Sequence, residues 1–486
     1  MNKNKSIAKN AILNAIKSLL SILFPVITYP YVARVLHAEN LGKVTFAQSI
    51  VSYFALLATL GVNAYAVREG SKFKGDNKKL NRFCNEIFMT NLFTTGVAYL
   101  LLIISVLFIP KLNEYATLIL LLSATMFFTT IGVEWINVIF EDFVFITIRS
   151  IVAQIVNMIL LFVFVRNEND YFIYAFLTVF SNIVVGVWNF IYCRRYVKFR
   201  FIRKVNCKKH LISLLVFFAN NLAISLYCYS DTTMIGMMVG DACVGVYSVA
   251  VKAYTVIKTI LAAVYSVCIP RLSNYYGNGE KEKFYELSNR LFSSLLLIVI
   301  PAIVGVIVLA KPIILFLGGV EYSDAIPTLR ILSVALIFAI VGGIMSNCIN
   351  IPTGKERITL SGTVIAAILN IALNIVLIPM FKQNGAAVTT VIAELVVVVV
   401  SMALNKDIWK NYKWKEIFVN VLHAMIGSLG IVISYWIVKK ITQSIILICV
   451  FTIPIASISY VVILLLLKNQ YAWKICKRQT MRLMLK

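Results

Sequence analysis

The sequence predicts an all-α integral membrane protein of about fourteen transmembrane helices. They would form two six-helix bundles related by an internal repeat, with two further helices at the C-terminal end. Three observations carry this. Hydrophobic residues make up 60% of the 486 positions and charged residues 14%. The charges cluster between apolar runs, and a helix rising 1.5 Å per residue needs about 20 apolar residues to cross a hydrocarbon core of about 30 Å. Finally, one helical hairpin recurs at a constant offset along the chain.

The repeat sets the frame. From about Pro25 to Gly70, two apolar runs meet at the polar elbow LHAENLG, and the second ends on Arg68. The same plan returns as CYSDTTMIGMMVGDACVGVYSVAVKAYTVIKTILAAVYSVCIPRLS. Gly42 and Gly245 stand 203 residues apart, as do Ala47 and Ala250, and Arg68 and Arg271. Repeated hairpins of this kind mark the two halves of many transporters.

In order, the apolar runs place spans near 10–33, 43–66, 86–109, 115–139, 147–165 and 171–192, a first bundle over 1–205. A basic joint, RRYVKFRFIRKVNCKKH, follows. Spans near 210–238, 242–268, 289–309, 325–348, 357–379 and 385–404 give a second bundle over 206–405. Spans near 416–437 and 444–467 have no counterpart in the repeat, so 406–486 reads as two added helices and a basic tail.

A net charge of +25 would suit a nucleic-acid partner, but its placement argues against one. Lys and Arg concentrate in alternate loops: Lys3, Lys5 and Lys9, then 68–85, 194–209, 271–290, Lys355 with Arg357, 406–415 and the tail. The intervening loops hold few, such as Lys111, Arg166, Lys382 and the Lys439–Lys440 pair. The positive-inside rule then puts both termini in the cytoplasm, as an even number of spans requires, and leaves the basic loops against anionic membrane lipids. The first apolar run is too long for a cleaved signal and lacks a small-residue cleavage site.

The chemistry classes narrow by what the chain lacks. Nine cysteines are scattered without a CxxC pair, and His37, His210 and His423 stand apart, so no metal centre is expected. No GxxxxGK[ST] loop occurs, so no nucleotide cofactor is expected. The loops opposite the basic face are short, which disfavours a membrane transferase or polymerase. The expectation is a transporter and not an enzyme.

Ionisable side chains inside a bilayer are costly and usually face a cavity or a partner. The candidates for a translocation cavity are Lys17, Arg34, Asp231, Lys252 and Lys258. Arg68, Glu134, Arg149, Arg271 and Glu394 form a second group with coupling or structural roles. Lys17 either enters the cavity or snorkels to the interface. Asp231 and Lys252 fall at similar depth, either as an ion pair or as contacts to substrate or ion. Lys258 lies deeper, about 240° round the helix from Lys252. Arg68 and Arg271 close equivalent hairpins, where topology alone would explain them. Glu394 either carries a proton or bonds a neighbouring helix. Cations lead the set, which suits a cargo with phosphate oxygens.

The blocks now in view carry a resemblance. PYVARVLHAENLGKVTFAQSIVSYFALLATLG resembles the opening of the Wzx-type polysaccharide repeat-unit flippases, whose superfamily also holds multidrug and toxin extruders and lipid II flippases. EWINVIFEDFVFITIRSIV, DTTMIGMMVGDACVGVYSVAVK with IPRLSNYYGNGEKEKF, and INIPTGKERITLSGTVIAAILNIALNIVLIP with GAAVTTVIAEL follow in that family's order, covering roughly 1–405. The resemblance implies a twelve-helix core around a cationic cavity in a bacterial cytoplasmic membrane. It implies undecaprenyl-diphosphate-linked oligosaccharide as cargo for capsule, O-antigen or exopolysaccharide, and a polysaccharide polymerase and chain-length regulator as partners. Alternating access is the expected mechanism, with Gly42, Gly245, Pro25, Pro30, Pro270 and Pro301 as places where helices could bend. A drug extruder of the same fold would favour carboxylates in the cavity, where only Asp231 and Glu394 qualify. A lipid II flippase would differ only in its sugar.

Overall fold

Long apolar segments in hydrocarbon must satisfy their own backbone, and the chain does so entirely with helices among the described residues. The computed structural model describes the backbone of residues 7–200 and 207–473; side chains before Leu20, at Ile22, within 201–213 and at a few positions up to Tyr227 lie outside that description. Eleven described helices are long and apolar enough to cross a membrane. Two of them, Ile7–Thr59 and Glu356–Leu404, are hairpins, broken at His37 and Lys382 where φ turns to 58° and 52°. Counting each hairpin as two spans and adding the helix Cys207–Met238 gives fourteen. The single spans are Asn77–Phe108, Ala116–Gly132, Phe143–Phe164, Tyr171–Cys193, Asp241–Ser266, Lys281–Leu317, Ala325–Ile344, Trp414–Ile441 and Ile445–Leu466. Outward faces carry large exposed apolar side chains such as Phe108, Ile368 and Ile458, as lipid contact demands.

The chain divides into two compact units, Met1–Gly245 and Val246–Lys486. In the first, the polar loop before the third span ends on Asp76, whose Oδ1 accepts from the backbone N–H groups of Lys78 and Lys79 and so starts the helix. The Lys79 amide, with its ammonium, holds this carboxyl below the usual Asp range.

The fourth span stops for an identifiable reason. Asn189 of the sixth span donates to the carbonyl of Gly132, taking the acceptor that would continue the helix, and Val133 turns into the left-handed region. The chain restarts as Glu134–Ile139. Asn137 also donates to Asn189 Oδ1 at 2.5 Å, so one buried amide fixes both sides of the break. Asn189→Leu should cost about 1–3 kcal/mol, the penalty for orphaning buried polar groups, read as a lower Tm of the purified protein.

The elbow corrects one expectation. Gly42 and Gly245 are not where the chain bends: the turns fall five residues earlier, at His37 and at Gly240, where φ is 134°. Those two positions keep the 203-residue offset. The glycines serve close packing instead. A Cβ on Gly42 would lie 1.9 Å from the carbonyl oxygen of Asp241, and one on Gly245 would lie 1.9 Å from that of Ala38. Ala38 and Asp241 are also 203 apart, so the contact is reciprocal: each elbow rests its glycine on the other's first turn. Tyr115 Oη donates to Asp241 Oδ2 at 2.6 Å beside it.

In the second unit, the two added helices are seated on the ninth span. Tyr460 Oη donates to the carbonyl of Leu297 at 2.6 Å. Gly427 and Gly430 admit the ring of Tyr460 and the side chains of Ser459 and Ile463, the small-residue packing that lets membrane helices approach. The tenth span ends in a π-helical turn, Met345–Asn350. There Asn350 Nδ2 reaches Thr359 Oγ1 and Ser401 Oγ, while Asn405 donates back to Asn350 Oδ1 at 2.9 Å.

Candidate functional site

Each charge is placed by the helix that carries it. In the first unit, Lys17 lies on the first helix, with its side chain outside the described residues. Arg34 is exposed, one turn before the His37 break. Asp231 is buried late in the seventh span. Arg68 is exposed on the short helix Val62–Gly70, its Nε donating to Glu69 Oε1 at 3.0 Å, and Glu69 also takes the Lys72 ammonium at 2.7 Å. This is a solvated ion cluster, worth little in stability.

Glu134 and Arg149 are drawn together. Arg149 enters the fifth span six residues from its start, and its Nη2 donates to Glu134 Oε2 at 2.5 Å. The burial is lopsided: Arg149 is 1% exposed and Glu134 41%. The helix break at Val133 is what turns Glu134 toward the arginine, since an unbroken fourth span would carry it on.

In the second unit, Lys252 is half-buried on the eighth span and Arg271 is exposed on the helix Ile269–Gly277 that follows it. Lys258 and Glu394 form an ion pair inside the membrane, Nζ to Oε1 2.7 Å, with side-chain exposures of 34% and 8%. Tyr254, one turn before Lys258, donates its hydroxyl to the same Glu394 oxygen at 3.4 Å, and its ring lies 5.5 Å from the ammonium. The carboxylate is therefore held by two groups of the eighth span from its place on the twelfth. Of the two readings open for Glu394, its observed bond is to a neighbouring helix.

The sequence reading passed over the uncharged polar groups. Asn370 and Asn374 of the eleventh span and Thr389 of the twelfth are fully buried and bonded in a ring. In the first unit, Thr130 joins Asn91 at 2.9 Å and Thr95 at 2.7 Å. Asparagine inside an apolar run is the signal that would have found both clusters, because hydrocarbon offers a buried amide no partner but another helix. Among the described residues no three His, Cys, Asp or Glu side chains gather in a way that could hold a metal ion.

With this arrangement in view, the comparisons with known proteins are informative. The profile described as "Polysaccharide biosynthesis protein" matches residues 7–276, and that of MatE matches 217–376. A protein of Escherichia coli (strain K12) named for O-antigen transport is 26% identical over 416 residues, covering 82% of this chain and 96% of its own. The capsular polysaccharide biosynthesis protein CapF of Staphylococcus aureus is 22% identical, covering 79% and 95%. Among solved structures, the lipid II flippase MurJ in an inward closed conformation superposes with a TM-score of 0.78 at 16% identity, over 95% of this chain and 99% of that one. An inward-facing multidrug resistance MATE family transporter gives 0.59 at 18% identity, over 80% and 98%. At those identities the structural likeness speaks for the fold alone. The sequence profile spans more than half the chain, and this chain therefore belongs to the polysaccharide biosynthesis protein family, as a multi-pass membrane transporter of the Wzx type.

Proposed function

We propose that this protein is a flippase that carries undecaprenyl-diphosphate-linked oligosaccharide repeat units from the inner to the outer leaflet of the bacterial cytoplasmic membrane, with both termini cytoplasmic. The observation that carries the reading is the family match over 7–276, joined by relatives named for O-antigen transport and capsular polysaccharide biosynthesis. Charge supports it as well. Glu394 is already matched by Lys258, which leaves Asp231 as the remaining carboxylate of the candidate cavity set, beside Lys17, Arg34 and Lys252. Such a set suits a diphosphate better than an organic cation. The diphosphate and sugars would enter the cationic cavity from the cytoplasmic leaflet while the polyprenyl tail stays in lipid, and alternating access would then expose the cargo outward. A polymerase and a chain-length regulator would use the product.

The test is a leaflet assay in cells lacking the protein, with an impermeant sugar-specific label. Repeat units should accumulate facing the cytoplasm and surface polysaccharide should be lost, both restored by the intact gene. Unchanged sidedness with new sensitivity to cationic dyes would replace this reading with the extruder one, which the MatE match over 217–376 keeps in view.

A further inference from the structure

The first unit contains a partly open cavity of about 360 Å³, lined by its own helices. Its wall includes Arg149, Glu134, Asn63, Thr129 and Asn182, with Gly132 and Gly186 where the fourth and sixth spans run closest. Arg149 is 1% exposed and gives only Nη2 to Glu134; Nε and Nη1 have no hydrogen-bond partner among the described residues. Its guanidinium lies 5.6 Å from the Phe145 ring.

From this geometry we infer that this cavity, formed within the first unit alone, is a binding site for a phosphate-type oxyanion. A buried guanidinium with three unused N–H donors calls for oxygen acceptors. The wall residues reinforce that demand: Asn63, Asn182 and Thr129 can each donate, and Glu134 is the single carboxylate. A metal ion would meet the arginine's charge, and an apolar ligand would leave the donors unmet. The volume falls at the small end of ligand sites, with room for a phosphate group and a few waters and none for a sugar chain. The phosphate is either free or the headgroup of a phospholipid. Neither case depends on what the transporter carries.

The full-length purified protein decides it in two arms. In detergent, radiolabelled inorganic phosphate should bind at one site that is weakened at least about tenfold by Arg149→Gln and by Asn182→Asp. In nanodiscs, phosphatidylglycerol should raise Tm relative to phosphatidylcholine in the wild type but not in those variants. Asn182→Asp is the safer probe of the two. It keeps the Arg149–Glu134 pair, and by supplying an internal carboxylate it should raise Tm in the absence of ligand. A response in the first arm identifies a free oxyanion, and a response in the second alone identifies a lipid headgroup. No response in either arm, or responses that survive both substitutions, overturns the inference.

Discussion

Gly42→Ala and Gly245→Ala should each cut export about tenfold or more, and by similar amounts. The atoms a new Cβ would strike, the carbonyl oxygens of Asp241 and Ala38 at 1.9 Å, are backbone, so no rotamer change can relieve the overlap. Overpacking of this kind typically costs about 1–3 kcal/mol, and each 1.4 kcal/mol changes a population about tenfold. Similar size follows from the 203-residue offset: the two substitutions insert the same atom into the same contact from opposite ends. The double variant should cost less than the sum, because one separation of the two first turns relieves both clashes. Gly96→Ala is the control. No atom lies within 4 Å of a Cβ there, in the middle of the third span, and alanine gains about 0.5–1 kcal/mol over glycine inside a helix. The measurement is surface polysaccharide in a complemented deletion strain, normalised to protein level by immunoblot. Wild-type export from both elbow variants would show that this contact is not remade during transport.

The contrast between glycine as a bend and glycine as a contact shows where reading the chain stops. Span positions were legible because hydrophobic length is a local property. The expected run 86–109 falls within Asn77–Phe108 but for its last residue, and 444–467 matches Ile445–Leu466 to a residue at each end. The repeat was legible through residue identities at one offset. Which atom uses each glycine was not, because that depends on the approach of a segment some 200 residues away. The pairing of charges failed to show for the same reason. Lys258 and Glu394 are 136 residues apart, and the sequence gives the depth of each but not the direction each faces around its helix. Glu134 and Arg149, only 15 apart, were also hidden, since their meeting needs the Val133 break, which depends on Asn189 from another span.

Lys258→Glu should abolish export, and the ion pair now seen dictates how that loss must be read. In the single variant a second carboxylate would stand beside Glu394 and the Tyr254 hydroxyl, and like charges in a low-dielectric interior repel strongly. Glu394→Ala leaves the ammonium uncompensated. Breaking a buried pair costs about 3–5 kcal/mol, and the low end applies because Lys258 keeps a third of its side chain exposed. Either single change should therefore lower Tm as well as export, which leaves two causes entangled. The charge swap Lys258→Glu with Glu394→Lys separates them. It restores opposite charges across the same two helices, so Tm should recover most of what either single variant loses, the two substitutions being coupled and not additive. Export should stay low if the cation is needed at 258 to meet the cargo's phosphates. Recovery of export together with Tm would make the pair a clasp between the eighth and twelfth spans and remove Lys258 from the site. A swap that stays unstable would instead mean that the Tyr254 hydroxyl, 3.4 Å from the carboxylate, is needed to hold the acid on its own helix.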